Sequence, residues 1–104
     1  MWLKEEDLEK LKLDIYLHGL CHEWVKDNYK ENDKAIIISE FNEDFGVTTL
    51  IHCCILRDNK FIDVRGETDD INEILEPFDY FDYEMFSYND LETFLEMINI
   101  LINS

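Results

Sequence analysis

Beyond Arg65 the chain contains no lysine or arginine, while residues 67 to 104 hold eleven aspartates and glutamates. Such a field repels nucleic acid and anionic membrane surfaces, so direct contact with either is excluded and basic partners are favoured. Glycine and proline are scarce too, three and one in 104 residues. With no linker-like, repetitive or low-complexity stretch, residues 1 to 104 read as one domain. Scattered glycines make no phosphate cradle, so no nucleotide cofactor is expected. Only three cysteines occur, two of them adjacent, and an odd count argues for reduced thiols over a secreted disulfide framework. No run of 18 apolar residues exists, and the N-terminus MWLKEEDLEK is charged where a signal peptide is apolar. These absences point to a cytoplasmic protein that does not enter the membrane.

What is present suffices for a core. The chain is 46% hydrophobic and 13% aromatic, and a domain of this size buries about two thirds of its unfolded surface. Its net charge of −16 has two readings. One is a solvated acidic face that keeps the protein soluble; the other is a surface imitating the phosphate backbone and blocking an enzyme that handles DNA or RNA.

Taken in order, residues 2 to 17 predict a helix giving way to extended chain before Gly19, since Leu8, Leu11 and Ile15 share a helical face while Leu11 to Leu17 alternate. A second helix is expected from about Leu20 to Lys30, with Cys21 in its first turn. Lys34 to Phe41 and Thr48 to Arg57 read as strands around a turn at Asn42 to Gly46, and Phe61 to Arg65 as a third strand closed by Gly66. Thr68 is placed to cap a short helix ended by Pro77. Tyr80 to Tyr88 reads as a fourth strand whose alternating aromatics suit a core. Asn89 is expected to cap a last helix, with Glu92 completing the box and Leu91, Phe94, Leu95, Ile98, Leu101 and Ile102 forming its apolar stripe. The fold class expected is α+β, a short antiparallel sheet of three or four strands with flanking helices.

Every histidine and cysteine lies in HGLCHEW, residues 18 to 24, or in IHCCILRDNKFIDVRGE, residues 51 to 67. A thiol at a helix N-terminus beside an imidazolium is lowered in pKa and becomes a nucleophile, which suits Cys21 and His52. A third group must then fix the imidazole, and Asp63 is the candidate. A turn at Asp58 and Asn59 pairs Arg57 with Lys60, which sets His52 and Asp63 on one face as diagonal neighbours; a three-residue loop would separate them. Arg65 competes for Asp63 as a plain ion pair. Each residue also has a core reading: Cys21 as a small apolar residue beside Trp24 and Val25, His52 as a satisfied buried histidine, Cys53 and Cys54 as core thiols on opposite faces. A zinc site drawn from His18, Cys21 or His22, His52 and Cys54 is conceivable by spacing but lacks a second ligand pair, so no metal is expected.

Gly19, Cys21, His22, His52, Asp63 and Gly66 together resemble the small papain-like/transglutaminase-like cysteine domains of bacterial and phage proteins. The resemblance implies a minimal papain-like arrangement and a thiol-dependent acyl-transfer activity on a protein or other amide, by hydrolysis, deamidation or transamidation, with catalytic Cys21, His52 and Asp63. No upstream Gln or Asn offers itself as an oxyanion donor, so His18 or backbone amides near Leu20 and Cys21 would fill that role. The alternative is an acidic, non-enzymatic inhibitor or immunity-type protein, a nucleic-acid mimic of the anti-CRISPR or nuclease-inhibitor kind, that binds a basic enzyme through its C-terminal third.

Overall fold

The runs of β-branched residues build one antiparallel sheet. The computed structural model describes residues 2–78 and 83–103, and its strands are β1 (Lys34–Asn42), β2 (Val47–Arg57), β3 (Lys60–Asp63), β4 (Gly66–Thr68) and β5 (Glu84–Tyr88), in the spatial order β4-β3-β2-β1-β5. The helices are α1 (Glu5–Leu11), α2 (Ile15–His18), α3 (Cys21–Asn28), α4 (Ile71–Leu75) and α5 (Leu91–Asn103). The fold is therefore α+β with flanking helices, and the sheet has five strands where three or four are expected. No helix among the described residues is long and apolar enough to cross a membrane.

Side-chain alternation splits the interior in two. On one face Ala35 and Ile37 of β1 and Cys53 and Ile55 of β2 pack with Cys21 and Val25 of α3 and Phe94 and Ile98 of α5. On the other, Ile36, Ile38 and Cys54 pack with Ile74 and Leu75 of α4 and with Trp2. Each fully buried aliphatic side chain contributes about 1.5–3 kcal/mol, so the central strands, apolar on both faces, are the stable heart of the fold.

The turn after β2 behaves as its sequence requires. Asp58 and Asn59 both adopt the left-handed region, with φ of 52° and 64°, as a two-residue hairpin turn of type I′ demands. Arg57 pairs with Lys60, Leu56 with Phe61 and Ile55 with Ile62. A second register device lies in β2: Ile38 pairs with His52 but Ser39 with Leu50, leaving Ile51 as a bulge. His52 shares the face of Ile38 and Cys54 in the register that runs unbroken from Lys34 to Ile38, and the bulge shifts only the pairing beyond it.

Several boundaries differ from the sequence expectations. Residues 2 to 17 do not end in extended chain: Lys12 turns left-handed at φ 60° and closes α1, with Leu13 N–H donating to Leu8 O, and the alternating Leu13 to Leu17 is taken up by α2. The strand expected to run through Arg65 stops at Asp63, and Gly66, at φ 128°, opens β4. Thr68 ends β4 instead of capping α4; the cap is Asp70, whose carboxylate accepts the Asn72 amide. Asp90, not Asn89, caps α5, accepting both the amide and the hydroxyl of Thr93. Ile102 points to solvent and Met97 joins the stripe. The fourth strand begins at Glu84; residues 79–82 lie outside the described residues. Tyr83, Met85 and Phe86 are partly exposed, against the expected core placement, because β5 is an edge strand on which α5 covers little.

Candidate active site

Asp63, the last residue of β3, is the hub of the site. One carboxylate oxygen, Oδ2, accepts His52 Nε2 at 2.9 Å and an Arg65 guanidinium nitrogen at 2.6 Å; the other accepts the Arg65 amide at 2.8 Å. All three residues are buried. The two rival partners of Asp63 are thus both engaged. Arg65 spends its remaining donors on the carbonyls of Glu73 and Ile74 near the C-terminal end of α4, at 3.2 and 2.9 Å, where a cation is favoured. Its far face lies 4.6 Å from the Trp2 ring, a cation–π stack, and Leu3 N–H donates to Arg65 O at 2.8 Å. The chain's N-terminal segment therefore covers the arginine from outside.

Because an ionised carboxylate only accepts, the proton on His52 resides at Nε2 in the neutral ring, and Nδ1 is left free. Nδ1 is buried without a conventional hydrogen-bond partner among the described residues. The Cys21 thiol interacts with the ring and helps raise its pKa. Phe78 covers the imidazole, with ring centroids 5.0 Å apart.

Cys21 is the first residue of α3, whose N-terminal amides have no side-chain cap and whose dipole favours an anion there. Its thiol comes from the α3 side of the sheet, whereas His52 and Asp63 face the α4 side. Cys21 and Cys53 share the core cluster on the α3 side, and the electrostatic influences on Cys21 come from Cys53 and His52. Hydrogen bonding from the Cys53 side chain lowers the Cys21 pKa most; burial pushes it up, and hydrogen bonding and charge attraction from His52 carry it back down, for a net lowering. For His52, burial opposes protonation, but Asp63 and Cys21 outweigh it and the net direction is up. Burial likewise opposes ionisation of Asp63, and His52 and Arg65 overcome it to hold the carboxyl below its usual range. Burial pushes Cys53 and Cys54 up. With Cys21 as thiolate and His52 as imidazolium, the buried groups alternate in sign from Cys21 through His52 and Asp63 to Arg65, and their charges cancel.

The structure pairs His52 with Asp63 directly, and Cys21 is linked to His52 through their mutual electrostatic influence. The His22 ring is partly buried 3.8 Å from Glu23, and the His18 side chain lies outside the described residues. Among the described residues no group of three or more His, Cys, Asp or Glu side chains is arranged to hold a metal. Sequence reasoning missed Cys53 as the neighbour of Cys21, and Trp2 and Phe78 as the covers of Arg65 and His52; these contacts arise from tertiary docking and leave no local pattern. Comparison with protein-family models, curated proteins and solved structures finds no match.

Proposed function

We propose that the chain is a thiol-dependent acyl-transfer domain acting on an amide, with Cys21 as nucleophile, His52 as general acid and base, and Asp63 as the group that orients His52. The observation that carries this reading is the His52 ring itself: Nε2 is tied to Asp63 at 2.9 Å, which leaves Nδ1 for the thiol. The thiolate adds to the carbonyl carbon, and the resulting oxyanion is met by the Cys21 amide at the start of α3. Protonated His52 then delivers its proton to the departing amine, leaving a thioester. Water or an incoming amine, deprotonated by His52, attacks that thioester and releases the thiol. Cys21 is only 5% exposed and His52 is fully buried, so the reading selects a slim acyl group, such as a side-chain carboxamide, over a folded polypeptide. The resemblance to small papain-like domains includes these residues together with Gly19, His22 and Gly66.

The test is acetylation by p-nitrophenyl acetate followed by peptide mass spectrometry. A thioester on Cys21 that turns over, absent from His52→Ala, is expected. Acetylation confined to lysines, or equal labelling in Cys21→Ala, would sink the assignment.

One surface feature favours a second reading, an acidic inhibitor. Glu40, Glu43 and Glu84 join Phe41 and Tyr83 around a cleft of about 220 Å³ with no cation among the described residues of its lining, and Phe45 and Val47 stand exposed at the same end of the β1–β2 hairpin. Aromatics ringed by carboxylates suit a basic side chain set in an apolar surround. On this reading a basic nuclease would be inhibited in a salt-sensitive way, with Cys21→Ala indifferent and Glu40→Lys with Glu84→Lys inactive; the opposite pattern would exclude it.

A further inference from the structure

Acyl transfer uses one thiol, yet Cys21 and Cys53 are both buried in one small core cluster. Hydrogen bonding between the two side chains is the largest influence lowering the Cys21 pKa and one of those raising that of Cys53. Both thiols belong to the core cluster between the sheet and α3 with Val25, Ala35, Ile37 and Ile55. Cys54 packs on the opposite face with Ile36, Ile38 and Ile74. Of two cysteines adjacent in sequence, only Cys53 is on the side from which Cys21 arrives.

We infer that Cys21 and Cys53 form a peroxide-responsive dithiol, in which hydrogen peroxide oxidises Cys21 and Cys53 resolves it to an intramolecular disulfide that silences the acyl-transfer site. The inference rests on the reading of Cys21 as a thiolate activated by His52. In the first step Cys21 sulfur attacks one peroxide oxygen and the O–O bond breaks; sulfur gives up two electrons and becomes a sulfenic acid, while the departing hydroxide takes a proton from His52 and leaves as water. In the second, Cys53 sulfur attacks Cys21 sulfur, the S–O bond breaks, and hydroxide leaves with the Cys53 thiol proton as another water. A dithiol reductant restores both thiols by exchange and becomes a disulfide itself. Hydrogen peroxide has two heavy atoms, so a thiol 5% exposed admits it while excluding bulkier oxidants. Neighbouring Cys53 explains why the oxidised sulfur would stop at a reversible stage.

The test treats the reduced full-length chain with equimolar hydrogen peroxide, blocks remaining thiols with N-ethylmaleimide, and maps linked peptides without reduction. A Cys21–Cys53 link is expected, reversed by dithiothreitol. In Cys53→Ala, dimedone-trapped sulfenic acid at Cys21 should rise by about tenfold or more over the wild type, and in Cys54→Ala the yield of the Cys21–Cys53 link should be nearly unchanged. Circular dichroism of both variants guards against misfolding, and Cys53→Ser serves if Cys53→Ala unfolds. A link to Cys54, or progression of wild-type Cys21 to sulfinic acid, overturns the inference. Iodoacetamide alkylation of untreated protein across pH separates the two ideas. An acidic thiol that forms no link leaves the acyl-transfer reading standing and removes this one, whereas an ordinary thiol pKa removes the thiolate on which both depend.

Discussion

Replacing Asp63 with asparagine would expose how much of this fold hangs on one carboxylate. The side chain accepts from His52 Nε2, from the Arg65 amide and from the Arg65 guanidinium, all buried. Asparagine keeps one acceptor oxygen, but its NH₂ group must face either the Arg65 backbone N–H or the His52 N–H and guanidinium together, and Arg65 loses its counter-charge. Breaking a buried ion pair from one side costs about 3–5 kcal/mol, a large part of the roughly 5–15 kcal/mol that holds a domain of this size together. In urea, a loss of about 4 kcal/mol at a slope near 2 kcal/mol/M moves the unfolding midpoint by about 2 M. Adding Arg65→Met to Asp63→Asn removes the unpaired cation and should recover part of the loss. A change below about 1 kcal/mol in the single variant would refute the buried charge cluster.

Other consequences follow from separate contacts. Asp33 takes two bonds from Arg57, at 2.8 and 2.6 Å, and the Lys30 amide at 2.8 Å, so Asp33→Ala should cost about 1.5–3 kcal/mol by chemical denaturation; an unchanged midpoint would show that the clamp on the start of β1 is slack. Asn59→Val forces a β-branched residue to φ 64° and should lose about 1–2 kcal/mol, read as a lower Tm; equal Tm values would mean that the turn is not type I′. The raised pKa of His52 gives stability that is fully present below its unfolded value of about 6.5 and lost as pH rises through the folded value, whereas the lowered pKa of Asp63 gives stability present above about 4 and lost as pH falls through the folded value. The pair therefore helps most between about pH 4 and 6.5. Cys21 slopes the other way: its lowered pKa adds stability as pH rises toward the unfolded thiol's value of about 8.5. Tm should fall more steeply above about pH 6.5 in Cys21→Ala than in the wild type; parallel curves would deny the thiolate.

Some of this site could be read from the chain and some could not. The hairpin register was legible because a two-residue turn at Asp58 and Asn59 leaves no freedom in pairing, and with it came the shared face of His52 and Asp63. The helix start at Cys21 was legible from the apolar spacing of Cys21, Trp24 and Val25. By contrast, β4 is three residues long and has no periodicity to detect, so Gly66 looks like an end although it is a beginning. In the sequence Phe81, Tyr83 and Met85 alternate with Asp82 and Glu84 as a buried strand would, but alternation does not say whether anything covers an edge strand. Asn89 and Asp90 both suit a helix cap, and one residue decides which amide is reached. The packing of Cys21 with Cys53 in one core cluster depends on α3 docking against the sheet, a tertiary event that no local pattern encodes.

The central claim is that Cys21 is a thiolate held by His52, and the most direct measurement is the pH dependence of Cys21 alkylation by iodoacetamide in the wild-type chain, resolved from Cys53 and Cys54 by peptide mass spectrometry. The midpoint is the quantity to read, since burial slows all rates alike. The account predicts a midpoint well below the free-thiol value of about 8.5, moved upward in His52→Ala. A midpoint at or above 8.5, unmoved by that substitution, would contradict it and leave Cys21 a core residue.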